Sequence, residues 1–410
     1  MSKVIVNKSN LSGNIVIPPS KSLTHRALIC AALAKSKSVI SNVSLSDDTR
    51  ATISCLEKLG CTFIFEDNRA YINSTNLLQN NEEMIELFCN ESATTLRLLI
   101  PICAALGLKV KFTGKDSLIN RPLSVYKEIL PLHGVKISYD DRLPFIIEDY
   151  DEEGPHTLKN GVFEIRGDIS SQFISGLLFS FPLIKGESKI VLTKPLESKG
   201  YVDLTINTLN NFNIKINETD DGFSVKGNQK FLSNHMYIES DDTFSALYHC
   251  ANKLGSEINI TSDHNDKLSA IIDSFSMDKN NDIDCRNIPD LIPTLCVLAA
   301  FSNGRTRFFN AARLKHKESD RIISCTEMIT SLGGEAKSNN DSIIIDGKGK
   351  LSGGVVNSYN DHRIIMASTI AGLFSQGSTT ITNCENVSKS YESFFDDIKS
   401  LGGDIFVDME

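Results

Sequence analysis

The amino-acid sequence predicts an α/β (α+β) protein in which a βαβαββ unit recurs six times. An apolar stretch of helix length, rich in Ala, Ser and Leu, runs into a short break and then a β-branched strand. This pattern starts at residues 26, 97, 172, 243, 290 and 363. The intervals between the starts are 71, 75, 71, 47 and 73 residues, which indicates an internal repeat with one shortened copy.

A second helix follows most of these starts and ends near a glycine before another strand. Examples are residues 51–65, 128–139, 328–338 and 394–407. Their apolar positions recur at helical spacing, the strands are dense in Ile, Val, Phe and Thr, and glycine after the last turn fits a C′ cap. In the fourth copy the polar segment 276–287 stands where other copies have glycine and a strand pair, so we expect this copy to be truncated.

Composition excludes several classes of protein. The 410 residues carry 42 Lys+Arg against 51 Asp+Glu, and a net charge of −9 disfavours nonspecific nucleic-acid binding. No apolar run approaches the ~20 residues that span a bilayer, and the N-terminal residues have no targeting pattern, so we expect a cytoplasmic protein. The ten cysteines are scattered without a CxxC pair. We expect buried reduced thiols and no metal site.

The first candidate site is PPSKSLTHRA, residues 18–27. Two prolines end a strand, and Ser20, Ser22 and Thr24 offer N-cap oxygens before an apolar helix. Lys21 and Arg26 stand at the start of that helix, where free N–H groups and the helix dipole favour an anion. An ordinary capped helix with two solvated cations remains an equal alternative for this segment alone.

Three further segments share this character. LKHKESDRI (314–322) concentrates cations, and on a helix Lys317 and Arg321 would share a face at i,i+4, although a solvated helix laced with salt bridges is the usual reading of such a run. YNDHRI (359–364) places Asn360, Asp361, His362 and Arg363 before another repeat helix. RGDISSQF (166–173) supplies hydroxyls and an amide, which suit a phosphate or simply cap a helix. Anion-binding residues thus open helices in several copies of an acidic chain, which predicts a site for small substrates with several negative groups if the helix starts converge.

Taken in chain order, PPSKSLTHRA, GDISSQF (167–173), NIPDLIPTL (287–295), LKHKESDR (314–321) and YNDHR (359–363) cover nearly the whole chain and resemble the 5-enolpyruvylshikimate-3-phosphate synthase family. The resemblance implies two domains of three βαβαββ repeats each, residues 19–237 and residues 1–18 with 238–410, which close on two substrates. It implies transfer of the enolpyruvyl group of phosphoenolpyruvate to shikimate 3-phosphate with release of phosphate. It also implies that the reaction proceeds by addition and elimination through a tetrahedral intermediate, without a metal or organic cofactor.

The resemblance also implies a role for each matching residue. The shikimate 3-phosphate residues are Lys21, Ser22, Arg26, Ser170, Ser171, Gln172, Ser198, Tyr201, Asp290 and Lys317. The phosphoenolpyruvate residues are Lys21, Ala93, Arg121, Gln172, Arg321, Arg363 and Lys389. The catalytic residues are Lys21, Asp290, Glu318 and His362, and the sequence leaves open which of the first three moves each proton. Purely structural roles also remain open for two of these residues. Asp290 could cap the helix that follows it, and Lys389 could be a surface lysine at the start of a C-terminal helix.

Some positions depart from the family pattern. Ala93 stands where many relatives have glycine, and the extra methyl group should crowd a longer phosphoenolpyruvate analogue such as glyphosate, so we expect reduced sensitivity to that inhibitor. Ser117 replaces the first of two arginines found in some relatives, which leaves the contact to Arg121, and the role of Arg313 is open.

Two other functions compete with this assignment. The sister transferase acting on UDP-N-acetylglucosamine uses a loop cysteine that this sequence lacks. A non-catalytic anion-binding relative should have lost the acid and base residues that are present here. We expect a monomer whose partners are the two small substrates, with no nucleic-acid or membrane partner.

Overall fold

The computed structural model describes residues 2–78, 81–148, 150–151, 154–155, 157–264 and 266–409. Contacts between Cα atoms divide the chain into two compact units. Unit 1 comprises Met1–Pro18 and Glu239–Glu410, and unit 2 comprises Pro19–Ile238. The chain therefore passes between the units twice, after Pro18 and after Ile238.

Helices and strands alternate along the described residues. The helices are α1 (Lys21–Leu33), α2 (Asp47–Lys58), α3 (Ala93–Leu106), α4 (Ser124–Leu132), α5 (Ser171–Ser180), α6 (Lys199–Asn211), α7 (Asp242–Lys253), α8 (Lys267–Ser274), α9 (Ile292–Phe301), α10 (Arg321–Ser331), α11 (His362–Phe374) and α12 (Phe394–Ser400). Short 3₁₀ turns span Asp116–Asn120, Phe181–Leu183, Ala312–His316 and Cys384–Lys389. The strands are β1 (Lys3–Val6), β2 (Ser12–Val16), β3 (Lys37–Ser41), β4 (Thr62–Glu66), β5 (Arg69–Asn73), β6 (Asn81–Phe88), β7 (Leu108–Thr113), β8 (Ile137–Ser138), β9 (Phe145–Ile147), β10 (Tyr150–Asp151), β11 (Gly154–Pro155), β12 (Val162–Arg166), β13 (Glu187–Lys194), β14 (Asn217–Thr219), β15 (Gly222–Lys226), β16 (His235–Tyr237), β17 (Glu257–Thr261), β18 (Asn281–Asp284), β19 (Arg305–Phe309), β20 (Glu335–Asn339), β21 (Ser342–Asp346), β22 (Gly354–Asn357), β23 (Thr379–Thr382) and β24 (Ile405–Asp408).

Unit 2 contains three four-stranded sheets built on one plan, with strand orders β16-β3-β5-β4, β6-β7-β9-β8 and β12-β13-β15-β14. In each sheet the first two strands are parallel and the other pairs are antiparallel. A helix such as α3 or α5 connects the parallel strands, and a second helix precedes the antiparallel pair. Each copy is therefore a βαβαββ unit, and the copy containing α1 takes its first strand, β16, from the end of the unit. A small hairpin of β10 and β11 lies within the second copy.

Unit 1 repeats this plan in the sheets β18-β19-β21-β20 and β22-β23-β1-β24. The second of these takes β1 from the N-terminal segment, where it pairs with β23 and β24. The copy that contains α7 and α8 has only the parallel pair of β2 and β17 among its described residues. The six-copy α/β prediction and the truncation of the fourth copy are both confirmed.

Each unit has its own apolar core. The first helix of a copy is apolar around most of its circumference, so it is buried on nearly all sides. For example, α1 buries every residue from Leu23 to Leu33, and α11 every residue from His362 to Leu373. Second helices such as α2 and α10 bury one face, which matches their mixed sequences.

Glycine appears where the backbone demands it. Gly60, Gly134, Gly333 and Gly402 follow α2, α4, α10 and α12 at φ of 96°, 83°, 83° and 93°, which confirms the predicted helix caps. Gly176 of α5 has another role. A Cβ there would lie 2.4 Å from the Tyr126 hydroxyl and 2.6 Å from the Arg97 carbonyl oxygen, so glycine allows α5 to approach α3.

The repeated plan sets the candidate residues at helix starts. Lys21 is the first residue of α1, Ala93 of α3, Ser171 of α5, Arg321 of α10 and His362 of α11. A Ser or Asp side chain caps each of these five helices, at Ser20, Ser92, Ser170, Asp320 and Asp361. The fold thus presents chemistry-bearing side chains at the N-termini of helices, where the dipole favours anions.

Candidate active site

In unit 2, Lys21 projects from the first turn of α1 and is paired with Asp48 of α2. Its Nζ lies 2.8 Å from Asp48 Oδ2, and both side chains are mostly buried. The carboxylate holds the ammonium in one place at the helix start. An anion arriving there meets a positioned cation together with the first N–H groups of α1.

Arg26 lies one turn further along α1 and is buried. Its Nε donates to Thr205 Oγ1 at 2.7 Å, Nη1 to the Ser22 carbonyl at 2.7 Å, and Nη2 to the Tyr201 carbonyl at 3.1 Å. Burial lowers the pKa of Arg26 to about 10, so the guanidinium remains charged at neutral pH. The Arg26 guanidinium therefore binds the backbone carbonyls of two other predicted shikimate 3-phosphate residues, Ser22 and Tyr201.

Ser170 and Gln172 lie at the start of α5, where Ser170 caps the helix by accepting from the Gln172 amide. The Gln172 side chain is held at both ends. Its Oε1 accepts from Arg97 Nη1 at 3.0 Å, and its Nε2 donates to Thr94 Oγ1 at 2.9 Å. These two contacts fix which end of the Gln172 amide carries the oxygen and which carries the nitrogen.

The sequence motifs did not indicate a role for Arg97. It is buried on α3, donates also to the Pro122 carbonyl at 3.0 Å, and its guanidinium lies 4.8 Å from the centre of the Phe173 ring. A sequence signal for Arg97 exists, because Arg97 follows Ala93 by four residues and therefore shares its helix face.

The other predicted residues of unit 2 lie in buried positions at turns. Ala93 is buried at the start of α3, and Arg121 is buried directly after the 3₁₀ turn Asp116–Asn120. Ser198 is buried before α6 with a left-handed backbone (φ 53°). At the position of the missing arginine, Ser117 Oγ donates to Glu91 Oε2 at 3.2 Å.

In unit 1, the buried Arg321 is surrounded by acceptors. Its Nε and Nη2 donate to the Asp361 carboxylate at 2.8 and 3.2 Å, and Nη2 also donates to Glu318 Oε2 at 2.8 Å. Its Nη1 donates to Asp290 Oδ1 at 2.6 Å and to the Pro289 carbonyl at 3.3 Å. These contacts match the five N–H groups of a guanidinium, so Arg321 has no donor in reserve.

Asp290 also forms an ion pair with Lys317, whose Nζ lies 3.3 Å from Asp290 Oδ1. Burial opposes ionisation of Asp290, but the charges of Lys317, Arg321 and Arg363 outweigh it and hold the Asp290 pKa well below its ordinary value. Burial lowers the pKa of Lys317 to about 8; Asp290 offsets part of that effect, and the charge of Arg313 adds to it. Asp290 is therefore an ionised carboxylate beside an ammonium that titrates in the mildly alkaline range.

Glu318 is the more accessible carboxylate of the cluster, with 25% of its side chain exposed. It can therefore exchange a proton while Arg321 orients it.

His362 and Arg363 are buried at the start of α11, where the Asp361 side chain accepts from the Arg363 amide at 2.9 Å. Arg363 Nη1 donates to Thr243 Oγ1 at 2.5 Å.

Three sequence-based interpretations need correction. Lys317 and Arg321 do not share a helix face, because Asp320 caps α10 and the helix begins only at Arg321. Asp290 does not cap the following helix, since α9 begins at Ile292 and the Asp290 carboxylate faces Lys317 and Arg321. Lys389 is not a surface residue. It is 7% exposed in a 3₁₀ turn and donates to the Asn360 carbonyl at 3.2 Å.

Comparison with known proteins identifies the family. The family model described as EPSP synthase (3-phosphoshikimate 1-carboxyvinyltransferase) matches residues 5–277 and 242–398. A protein from Clostridium perfringens named 3-phosphoshikimate 1-carboxyvinyltransferase is 42% identical, with 98% of this chain and 99% of that protein covered. A protein of the same name from Clostridium acetobutylicum is 42% identical over 99% of this chain and 98% of its own length. The chain belongs to the EPSP synthase family.

The fold agrees with this family. The structure of EPSP synthase from Acinetobacter baumannii superposes with a TM-score of 0.81 over the full length of both chains, at 23% sequence identity. At that identity the superposition establishes the fold, and the family assignment comes from the family model and the closer relatives. The resemblance inferred from the motifs is therefore confirmed.

The cysteines bear on the sister transferase, which uses a loop cysteine as acid. All ten cysteines are buried with free thiols, and burial raises the thiol pKa at positions such as Cys61 (to about 12), Cys103 and Cys250. None of these buried thiols therefore resembles a loop cysteine that acts as an acid.

Over the described residues, no group of three His, Cys, Asp or Glu side chains is placed to hold a metal ion, and no helix is long and apolar enough to cross a bilayer.

Proposed function

We propose that the residues described above bind and process the two anionic substrates of the EPSP synthase reaction. The chain transfers the enolpyruvyl group of phosphoenolpyruvate to shikimate 3-phosphate in aromatic amino acid biosynthesis. We propose that units 1 and 2 are the two domains of a cytoplasmic monomer that needs no metal or organic cofactor. Its partners are the two substrates alone.

In this proposal unit 2 supplies most of the shikimate 3-phosphate contacts. Ser170, Ser171 and Ser198 bind the phosphate with hydroxyl groups and backbone N–H donors. Ser22 and Arg26 bind the carboxylate, and the ring lies by Gln172 and Tyr201. Asp290 and Lys317 take the ring hydroxyls. Support comes from the contacts that gather Ser22, Arg26 and Tyr201 and that fix the Gln172 amide.

Phosphoenolpyruvate binds the cations at helix starts and turns. They are Lys21, Arg121, Arg321, Arg363 and Lys389, with Ala93 and Gln172 beside the reacting group. Because the Arg321 donors already bind carboxylates, the phosphoenolpyruvate anion must replace one of them. The accessible Glu318 is the partner that leaves most easily, which frees it beside the reacting carbon.

The chemistry then needs two proton movements. Asp290 accepts the proton of the 5-hydroxyl as the hydroxyl oxygen bonds to C2 of phosphoenolpyruvate. Glu318, which takes a proton from solvent once it has left Arg321, delivers that proton to C3. In the elimination the C2–O bond to phosphate breaks, the proton on C3 returns to Glu318, and the C=C bond is restored, while the proton held by Asp290 passes to the leaving phosphate and Asp290 becomes a carboxylate again. Lys21, Arg321 and Arg363 stabilise the charge that develops on the leaving phosphate, and His362 supports Glu318. The observation that carries this proposal is the clamping of Asp290 and Glu318 on one guanidinium.

The test is phosphate release by the wild-type chain and by Glu318→Gln, with each substrate omitted in turn. Gln keeps the shape and the acceptor for Arg321 but cannot carry the proton, so we expect turnover to fall by roughly 10²–10⁴-fold. Glu335→Gln, on exposed strand β20, is the matched control and should retain full activity. Release without shikimate 3-phosphate, or an unimpaired Glu318→Gln, contradicts the assignment. No release with both ligands bound indicates a non-catalytic relative.

A further inference from the structure

Arg363 differs from Arg321 in how its guanidinium is held. It is 9% exposed, and its side chain makes one hydrogen bond in the described part of the chain, from Nη1 to Thr243 Oγ1 at 2.5 Å. Its Nε is buried and has no acceptor among those residues. Arg363 therefore keeps N–H donors in reserve for an anion, whereas the donors of Arg321 are all engaged.

Thr243 lies in the first turn of α7 and is itself fixed. Its hydroxyl donates to the carboxylate of Asp241, which caps α7 by also accepting from the Thr243 amide at 3.0 Å. A hydroxyl group has one proton. Because that proton is committed to Asp241, the lone pairs of Oγ1 are left to accept from Arg363.

The carboxylate of Asp241 thus acts on Arg363 through the threonine hydroxyl. It restrains the guanidinium without forming an ion pair with it, so the positive charge stays available to a ligand. The Phe244 ring, whose centre lies 5.3 Å from the guanidinium carbon, supports the guanidinium without using an N–H donor. The Asp241 amide donates to the Pro18 carbonyl at 2.9 Å, which anchors this end of α7.

We propose that Thr243 is a positioning residue for phosphoenolpyruvate binding: its hydroxyl, oriented by Asp241, holds Arg363 in the orientation that receives the substrate's anionic group. This inference rests on the proposed function, in which Arg363 binds phosphoenolpyruvate. Thr243 touches neither substrate nor reacting atoms in this scheme and acts through Arg363 alone.

The test uses Thr243→Val, which keeps the shape and loses the hydroxyl, and Thr243→Ser, which keeps the hydroxyl. Steady-state phosphate release is measured with each substrate varied against a saturating concentration of the other. We expect Thr243→Val to raise the KM for phosphoenolpyruvate about tenfold or more, the value of a hydrogen bond to a charged group, while the KM for shikimate 3-phosphate stays near wild type. Thr243→Ser should restore the wild-type KM.

The matched control is Thr379→Val on β23 of the same unit. Thr379 is buried, and its hydroxyl has no hydrogen-bond partner among the described residues, so both KM values should be unchanged. If Thr243→Val fails to fold, Thr243→Ala decides, since it also lacks the hydroxyl and must show the same selective rise.

Equal rises in both KM values, a loss of kcat alone, or a Thr243→Ser variant as impaired as Thr243→Val would each overturn the positioning role. An inactive wild-type chain would instead contradict the proposed function. The double variant with Arg363→Lys gives an independent answer. If Thr243 acts through Arg363, Thr243→Val adds little to the effect of Arg363→Lys, whereas additive effects on the KM for phosphoenolpyruvate would place the hydroxyl elsewhere in the mechanism.

Discussion

Replacing Arg321 with Met should destabilise unit 1 by an amount that the exposure of its partners sets. Asp290 keeps Lys317 as a cation at 3.3 Å, and Glu318, with 25% of its side chain exposed, can turn to water. Asp361 is fully buried and loses the guanidinium that bonds it twice. One uncompensated buried carboxylate therefore dominates the cost.

Removing one partner of a buried ion pair costs about 3–5 kcal/mol. Ser319 Oγ and the Arg363 amide still donate to Asp361, both at 2.9 Å, so we expect the lower end, about 3 kcal/mol. Arg305→Met is the matched control. It breaks an ion pair to Asp346 in which Arg305 is 59% exposed, and should cost under about 1 kcal/mol.

The measurement is urea unfolding followed by far-UV circular dichroism, because the chain has no Trp to report by fluorescence. Hydrogen exchange of the α10 and α11 amides assigns the loss of stability to unit 1. The double variant Arg321→Met/Asp361→Asn should recover part of the loss, since Asn keeps the cap and removes the stranded charge. An Arg321→Met variant no less stable than Arg305→Met, or a double variant less stable than Arg321→Met, would refute the reasoning.

Three further predictions test the site. Because burial lowers the pKa of Lys317 to about 8, the KM for shikimate 3-phosphate should rise above that pH. The free energy of unfolding should increase between pH about 8 and the pKa of lysine in the unfolded chain, about 10.4. Lys317→Arg should abolish the alkaline rise in KM. Ala93→Gly removes the methyl group at the start of α3 and should lower the glyphosate inhibition constant about tenfold, whereas a wild-type constant already as low as in the variant would contradict the crowding argument. Arg97→Met releases the Gln172 side-chain amide and should raise the KM values for the two substrates while the stability of unit 1 is unchanged. Unchanged KM values would show that Gln172 does not need Arg97 to hold it.

Local patterns predicted most of the fold. The repeated helices and the truncated fourth copy follow from periodicity and capping signals, and the helices begin within a few residues of the expected positions. Helix α1 begins at Lys21 and α5 at Ser171, whereas α11 begins at His362, inside the segment expected to precede it. The same kind of signal explains the main error. Asp320 is a strong N-cap residue, and this signal outweighs the i,i+4 spacing of Lys317 and Arg321. The helix therefore begins at Arg321.

Contacts between copies of the repeat were beyond local patterns. Gln172 meets Arg97 from 75 residues away, Asp361 meets Arg321 from 40, and Thr243 meets Arg363 from 120. Each is a polar contact between different copies, and periodicity carries no information about which copies face each other. The motifs therefore pointed to the residues that we propose bind the substrates, but not to the residues that hold them in place.

The acidic balance of the chain is consistent with anion binding once the partners of the cations are considered. Around Arg321, three carboxylates face the guanidinium and Lys317, so the unliganded cluster stores no excess positive charge. An anionic substrate reaches the Arg321 donors only by displacing a carboxylate or the Pro289 carbonyl, so binding there exchanges one hydrogen bond for another. Arg363, restrained through the neutral hydroxyl of Thr243, can bind an anion without such an exchange. In the proposed function, affinity for phosphoenolpyruvate should therefore depend more steeply on Arg363 than on Arg321, and the exchange at Arg321 should release Glu318 for its proton transfer only when substrate is bound.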